Sequence, residues 1–98
     1  MVLEAVILNI KEGQAEEYEK SFRKASALLV KSPGYLSHEL HKCIETRNRY
    51  IMLIRWNTLD DHLVGFRQSD VFEQWKQLTR PFYTEMPTVE HFEEVNLK

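Results

Sequence analysis

The stretch Tyr35 to Asn57, YLSHELHKCIETRNRYIMLIRWN, decides how the rest of the chain is read. It holds two β-like runs, Tyr35 to Ile44 and Arg49 to Asn57, separated by the polar Glu45-Thr46-Arg47-Asn48. Four polar residues between two such runs point to a hairpin. In the second run Tyr50, Met52, Ile54 and Trp56 share one face, while Ile51 and Leu53 make the other face apolar too. Upstream, Ala15, Tyr18, Phe22, Ala25 and Leu29 recur at helical spacing, and Pro33-Gly34 ends that helix. Before it, Val2 to Ile10 reads as a strand greasy on both sides. Downstream, Thr58-Leu59-Asp60-Asp61 has the spacing of a capping box and opens a second helical stretch, with a break near Gln68. Ser69 reads as a new N-cap, Pro81 and Pro87 bracket a loop, and Thr88 to Val95 is a short last strand. The order is β-α-β-β-α-β, an α+β, ferredoxin-like class with a four-stranded antiparallel sheet.

Composition bounds what such a chain can be. Ninety-eight residues hold one core, so residues 1–98 are expected to be a single domain. Thirteen Lys and Arg against fifteen Asp and Glu leave a net charge of −2, without the basic excess of a nucleic-acid binder. No apolar run approaches the roughly 20 residues of a membrane span. The opening Met1-Val2-Leu3-Glu4 has no signal-like region, and one cysteine forms no disulfide framework, so a cytoplasmic protein is expected. The strands carry apolar side chains on both faces, and a second copy of the sheet is the expected cover for the outer one: a homodimer.

Most catalytic signatures are missing. Three glycines build no phosphate loop, and there is no Gly-x-Ser-x-Gly nucleophile. His38 and His41 point to opposite sides of a strand and share no metal, so no metal site is expected. Cys43, near a strand end, reads as a small core residue rather than a nucleophile.

The fold order, Pro33-Gly34-Tyr35, Arg55-Trp56-Asn57-Thr58 and Ser69-Asp70-Val71-Phe72-Glu73-Gln74-Trp75 together resemble the antibiotic biosynthesis monooxygenase domain. The closing Pro87-Thr88-Val89-Glu90-His91-Phe92 resembles the last strand of its small bacterial members. The resemblance implies a dimeric α/β barrel with a pocket between helices and sheet. It also implies chemistry of more than one kind. Haem-degrading members use an Asn, a Trp and a His at places that fall here on Val6, Phe66 and Lys76, which argues against haem breakdown. Phenol-oxidising members use an Asn, a Trp, a Tyr and an Arg, and those places hold Met52, Trp56, His62 and Lys76.

The resemblance implies a monooxygenase without cofactor, acting with molecular oxygen on a small aromatic or enolisable compound. Such chemistry needs a base near neutral pKa and a group that holds the resulting anion. His62 is the expected base, Lys76 the anion holder, and Trp56 the flat face that fixes the ring. Met52, Phe66, Phe72, Trp75, Phe82, Tyr83 and His91 are the expected pocket lining. The plainer readings are a core tryptophan, a hydrogen-bonded core histidine and a solvated lysine. The competing function is a non-catalytic dimeric module for small-ligand binding or stress.

Overall fold

A computed structural model describes all 98 residues. Its elements are β1 (Val2–Asn9), α1 (Ala15–Leu29), β2 (Tyr35–Lys42) and β3 (Arg49–Trp56), then a π-helical segment (Asp61–Phe66), α2 (Asp70–Thr79), a 3-10 turn (Arg80–Phe82) and β4 (Val89–Phe92). The strands form one antiparallel sheet in the order β2-β3-β1-β4, with both helices on one face: the ferredoxin-like order. No helix is long and apolar enough to cross a membrane.

Alternation sorts the side chains. Val6 and Leu8 of β1, with Ile10 beyond it, and Tyr50, Met52, Ile54 and Trp56 of β3 point to the helices and are buried. Tyr18, Phe22, Ala25 and Leu29 of α1 close over them at three- and four-residue spacing. Full burial of a side chain of this kind contributes roughly 1.5–3 kcal/mol, so this layer carries most of the stability. The opposite face carries Leu3, Ala5, Ile7, Ile51, Leu53 and Phe92, with Ile7 and Phe92 about half exposed. Nothing in the chain itself packs across that face.

The capping box forms as the spacing predicts. Thr58 Oγ1 accepts the Asp61 N–H at 3.2 Å, and Asp61 Oδ2 accepts the Thr58 N–H at 3.0 Å. Gly34 is required beside it: its φ is +82°, and a Cβ there would lie within 2.5 Å of the Asp61 side chain. Instead of a plain helix, the chain then makes a wider turn, in which the Arg67 N–H donates to the His62 carbonyl five residues back at 3.0 Å. That turn buries both His62 and Phe66. Ser69 caps α2 by accepting the Phe72 N–H.

Three local expectations change. β2 ends at Lys42, so Cys43 is a turn residue whose Sγ accepts the Thr46 N–H, not a core residue, and Ile44 is exposed. The last strand is shortened to Val89–Phe92 because its pairing with β1 covers only Leu3 to Val6. The loop between the prolines begins as the 3-10 turn, with Pro81 near its start.

Candidate active site

A cavity of about 260 Å³ opens between the helix side of the sheet, the π-helical segment, α2 and the segment after it. Val6, Met52 and Ile54 form its floor, and Phe66, Phe72 and Trp75 form a wall. Three cations, Arg67, Lys76 and Arg80, also line it. Lys76 Nζ pairs with Glu73 at 2.8 Å and lies 5.1 Å from the Phe72 ring centre, while Arg67 and Arg80 have no ion-pair partner. A larger cleft of about 460 Å³ lies on the open face, beside Ile7 and Phe92, and contains no buried titratable group.

The floor also contains Glu4, which is 4% exposed. Its place on β1 opposes Ile54 of β3 and His91 of β4, so its side chain points to the helices from the middle of the sheet. Oε1 accepts a hydrogen bond from Trp56 Nε1 at 2.9 Å and lies 3.4 Å from His62 Nε2. His62 is stacked on Trp56, ring centres 5.3 Å apart and planes 15° from parallel, and its Nδ1 meets His91 Nε2 at 2.8 Å. Four side chains from β1, β3, β4 and the π-helical segment thus form one connected polar group.

Burial sets the charges of this group. Loss of water pushes the Glu4 carboxyl up to about 7, against the opposing pull of the Trp56 donor and the Arg67 charge. The same loss of water, with the charges of Arg67 and His91, drives His62 down to about 3. At any pH where Glu4 is ionised, His62 is therefore neutral, and the 3.4 Å approach is a close contact between a carboxylate and a neutral ring rather than an ion pair. A buried carboxyl group that titrates near neutrality at the bottom of a cavity can take a proton from a bound molecule and return it.

The expected site residues divide in two. His62, Lys76, Met52, Phe66, Phe72, Trp75 and Tyr83 line the cavity. Trp56, Phe82 and His91 do not. Trp56 is fully buried behind the cavity, with its indole N–H spent on Glu4, so it offers no free face to a ring. Phe82 turns away to pack edge-on against Tyr18, because the Ile10–Tyr83 bridge fixes the side on which this segment presents each residue. His91 sits behind His62 on the edge strand. Sequence reasoning missed Glu4, Arg67, Arg80 and Thr79. Glu4 did leave a signal: it is the one charged residue in Val2-Leu3-Glu4-Ala5-Val6-Ile7-Leu8. No group of three or more His, Cys, Asp or Glu side chains is arranged to hold a metal ion.

Residues 1–78 match the family model described as antibiotic biosynthesis monooxygenase. The chain is 47% identical over 95 residues to the uncharacterised protein YczJ of Bacillus subtilis (strain 168), covering 97% of this chain and all of YczJ. A crystal structure from Bordetella bronchiseptica, whose name places it provisionally among the antibiotic biosynthesis monooxygenases, superposes with a TM-score of 0.93 at 30% identity over 97% of both chains. SnoaB from Streptomyces nogalater, a cofactor-independent oxygenase, superposes at 0.83 over 97% of this chain and 93% of its own. At 19% identity that likeness extends to the fold alone.

Proposed function

The chain belongs to the antibiotic biosynthesis monooxygenase family, and from that premise we propose that it is a cofactor-independent monooxygenase of a small phenol or other enolisable compound, with Glu4 as its base. The observation that carries this reading is Glu4 itself, buried on the floor of the cavity and held near neutral pKa. The substrate lies between Met52, Phe66 and Phe72 with its acidic O–H or C–H directed at the carboxylate. Glu4 removes that proton and leaves an electron-rich anion, which Lys76, Arg67 and Arg80 hold in the cavity. The anion gives one electron to oxygen, and the two radicals combine as a peroxide. Glu4 returns its proton to the distal peroxide oxygen; the C–H proton at the peroxide carbon then leaves as the O–O bond breaks and joins the departing hydroxide, so a phenol and O2 leave as a quinone and one water. His62 is assigned a supporting role: neutral, it orients Glu4 and transmits to His91. Lys76, aligned with the haem-ligand place of other members, supplies no imidazole to an iron, which speaks against haem breakdown.

The test is oxygen uptake with a panel of naphthols and quinols in metal-free buffer. Glu4→Gln should lower kcat by roughly 10²–10⁴-fold, the share of general base catalysis. Compounds that bind to wild type and Glu4→Gln alike, with no oxygen consumed by either, would instead identify a binding module.

The same reading includes a homodimer. Leu3, Ile7, Leu53 and Phe92 on the open face match a second copy of the sheet better than water. The interface should bury at least on the order of 1,000 Å² in total. Light scattering should give twice the 11.7 kDa chain mass at micromolar concentration, and a monomer there overturns this part.

A further inference from the structure

Glu4 is sealed from water on the sheet side, yet the contacts behind it do not stop. Oε1 lies 3.4 Å from His62 Nε2, and His62 Nδ1 lies 2.8 Å from His91 Nε2. His91 stands on β4, the edge strand, and is partly exposed. Its other ring nitrogen, Nδ1, has no protein partner. An imidazole with one partner on each nitrogen is the side chain that can accept a proton on one side and release another from the opposite side.

Resting on the assignment of Glu4 as the base, we propose that Glu4, His62 and His91 form a proton wire joining the cavity floor to solvent at the β4 edge. With Glu4 protonated, a shift of a few tenths of an ångström closes the 3.4 Å contact so that its O–H donates to His62 Nε2, His62 Nδ1–H donates to His91 Nε2, and His91 Nδ1–H faces water. One proton then leaves. It moves from Glu4 to His62 Nε2 while the His62 Nδ1 proton passes to His91 Nε2 and the His91 Nδ1 proton passes to water. The ionised state has every hydrogen bond reversed: His91 Nε2–H donates to His62 Nδ1, and His62 Nε2–H donates to the carboxylate. Charge and protons balance, and uptake is the same path run backwards. Neither ring must rotate, which suits a His62 held flat against Trp56.

The surroundings favour this route over the mouth. The groups facing Glu4 are Trp56 from β3, His62 and Arg67 from the π-helical segment and its end, His91 from β4, and Tyr83 from the loop; Lys76 and Arg80 line the same cavity. Three of these are cations on the cavity side, where a bound substrate would also block the way. Burial and Arg67 keep both histidines below the ordinary imidazole range, so a proton crosses them without resting there.

Nitrogen-15 NMR of the histidine rings tests the proposal on the intact protein, with no ligand added. As the Glu4 carboxyl titrates, followed by its own carbon-13 signal, neutral His62 should switch from the Nδ1–H to the Nε2–H tautomer at the same midpoint. In Glu4→Gln the switch should vanish. A His62 tautomer that stays fixed through the Glu4 titration, or a ring that becomes a cation, overturns the wire. His91→Ala should slow solvent exchange of the His62 ring proton at least tenfold, with free imidazole restoring it. His91→Gln, which keeps a hydrogen-bonding partner but passes no proton, should slow it equally and without rescue. Exchange as fast as wild type in either variant overturns the proposal. The base assignment fails separately, through oxygen uptake that Glu4→Gln leaves intact.

Discussion

Two carboxylates in this molecule are held by aromatic donors from the same strand, and they end on opposite sides of the ordinary carboxylate range. Glu19 on α1 accepts a 2.6 Å hydrogen bond from Tyr50 Oη, and Glu4 accepts a 2.9 Å bond from Trp56 Nε1. Tyr50 and Trp56 stand at the two ends of one buried face of β3. The Glu19 side chain is about a third exposed, with Lys42 Nζ 3.2 Å away, and its pKa is lowered, chiefly by the Tyr50 bond and then by Lys42. Glu4 is buried with no cation in contact, only the Trp56 donor and a neutral imidazole, and burial raises it to about 7. A hydrogen bond to a charged group contributes about 1.5–3 kcal/mol. Taking a carboxylate out of water costs several kcal/mol unless a counter-charge comes with it. Burial therefore decides which of the two is a surface ion pair and which can work as a base.

Removing the buried charge should have the largest effect on that contrast. Glu4 prefers its proton more in the folded chain than in the unfolded one. Its stabilising share is complete below pH 4.5 and is lost as pH rises to about 7. At about 1.4 kcal/mol per pKa unit this amounts to about 3 kcal/mol. Glu4→Gln keeps an oxygen for Trp56 and has no such loss. It should gain on wild type by about that amount between pH 4.5 and pH 8, as urea unfolding at both values will show. His62, lowered in the fold, acts in the opposite sense: its share is present above pH 6.5 and is lost as pH falls toward 3. Wild-type stability should accordingly be nearly flat between pH 4.5 and 6.5, whereas Glu4→Gln should slope upward there. A parallel pair of curves would show that Glu4 is not desolvated.

A smaller effect should come from the donor. Trp56→Phe removes the bond that favours ionised Glu4 and keeps an aromatic surface for His62. The acid limb of kcat/KM should move to higher pH, and shrinkage of a fully buried side chain should also cost on the order of 1–3 kcal/mol in urea unfolding. An unmoved limb would separate the Trp56 contact from the base. The smallest effect belongs to the exposed carboxylate. Lys42→Gln should let the Glu19 pKa rise, visible by NMR, change stability by less than about 1 kcal/mol, and leave oxygen uptake alone.

Much of the fold is legible in the sequence, and the reason is local. The spacing of Tyr18, Phe22, Ala25 and Leu29, the two-faced run of β3, and the Thr58–Asp61 and Ser69 caps are properties of neighbours along the chain, and each takes the form its pattern implies. Seven of the ten expected site residues line the cavity because strand and helix faces follow from periodicity. Phe82 and Tyr83 are adjacent residues of similar size, and no periodicity tells them apart; the bridge to Ile10 does. Cys43 falls outside its expected strand because the β2–β3 ladder ends at the Lys42–Tyr50 pair, leaving Cys43 a single N–H bond to the Arg49 carbonyl as the chain turns.

By itself the chain determined its order of elements, its two-faced sheet and the aromatic wall over it, since these depend on spacing and side-chain type. Only the tertiary structure decided that Glu4 is buried on the cavity floor with its carboxyl raised toward neutrality. A lone acid in an apolar strand has no fixed pKa. It acquires one when the β1 register places it between Ile54 and His91, Trp56 aims a donor at it, and the π-helical turn lowers His62 over it. Those partners lie fifty or more residues away along the chain, and Glu4 is shifted by the loss of the water they exclude.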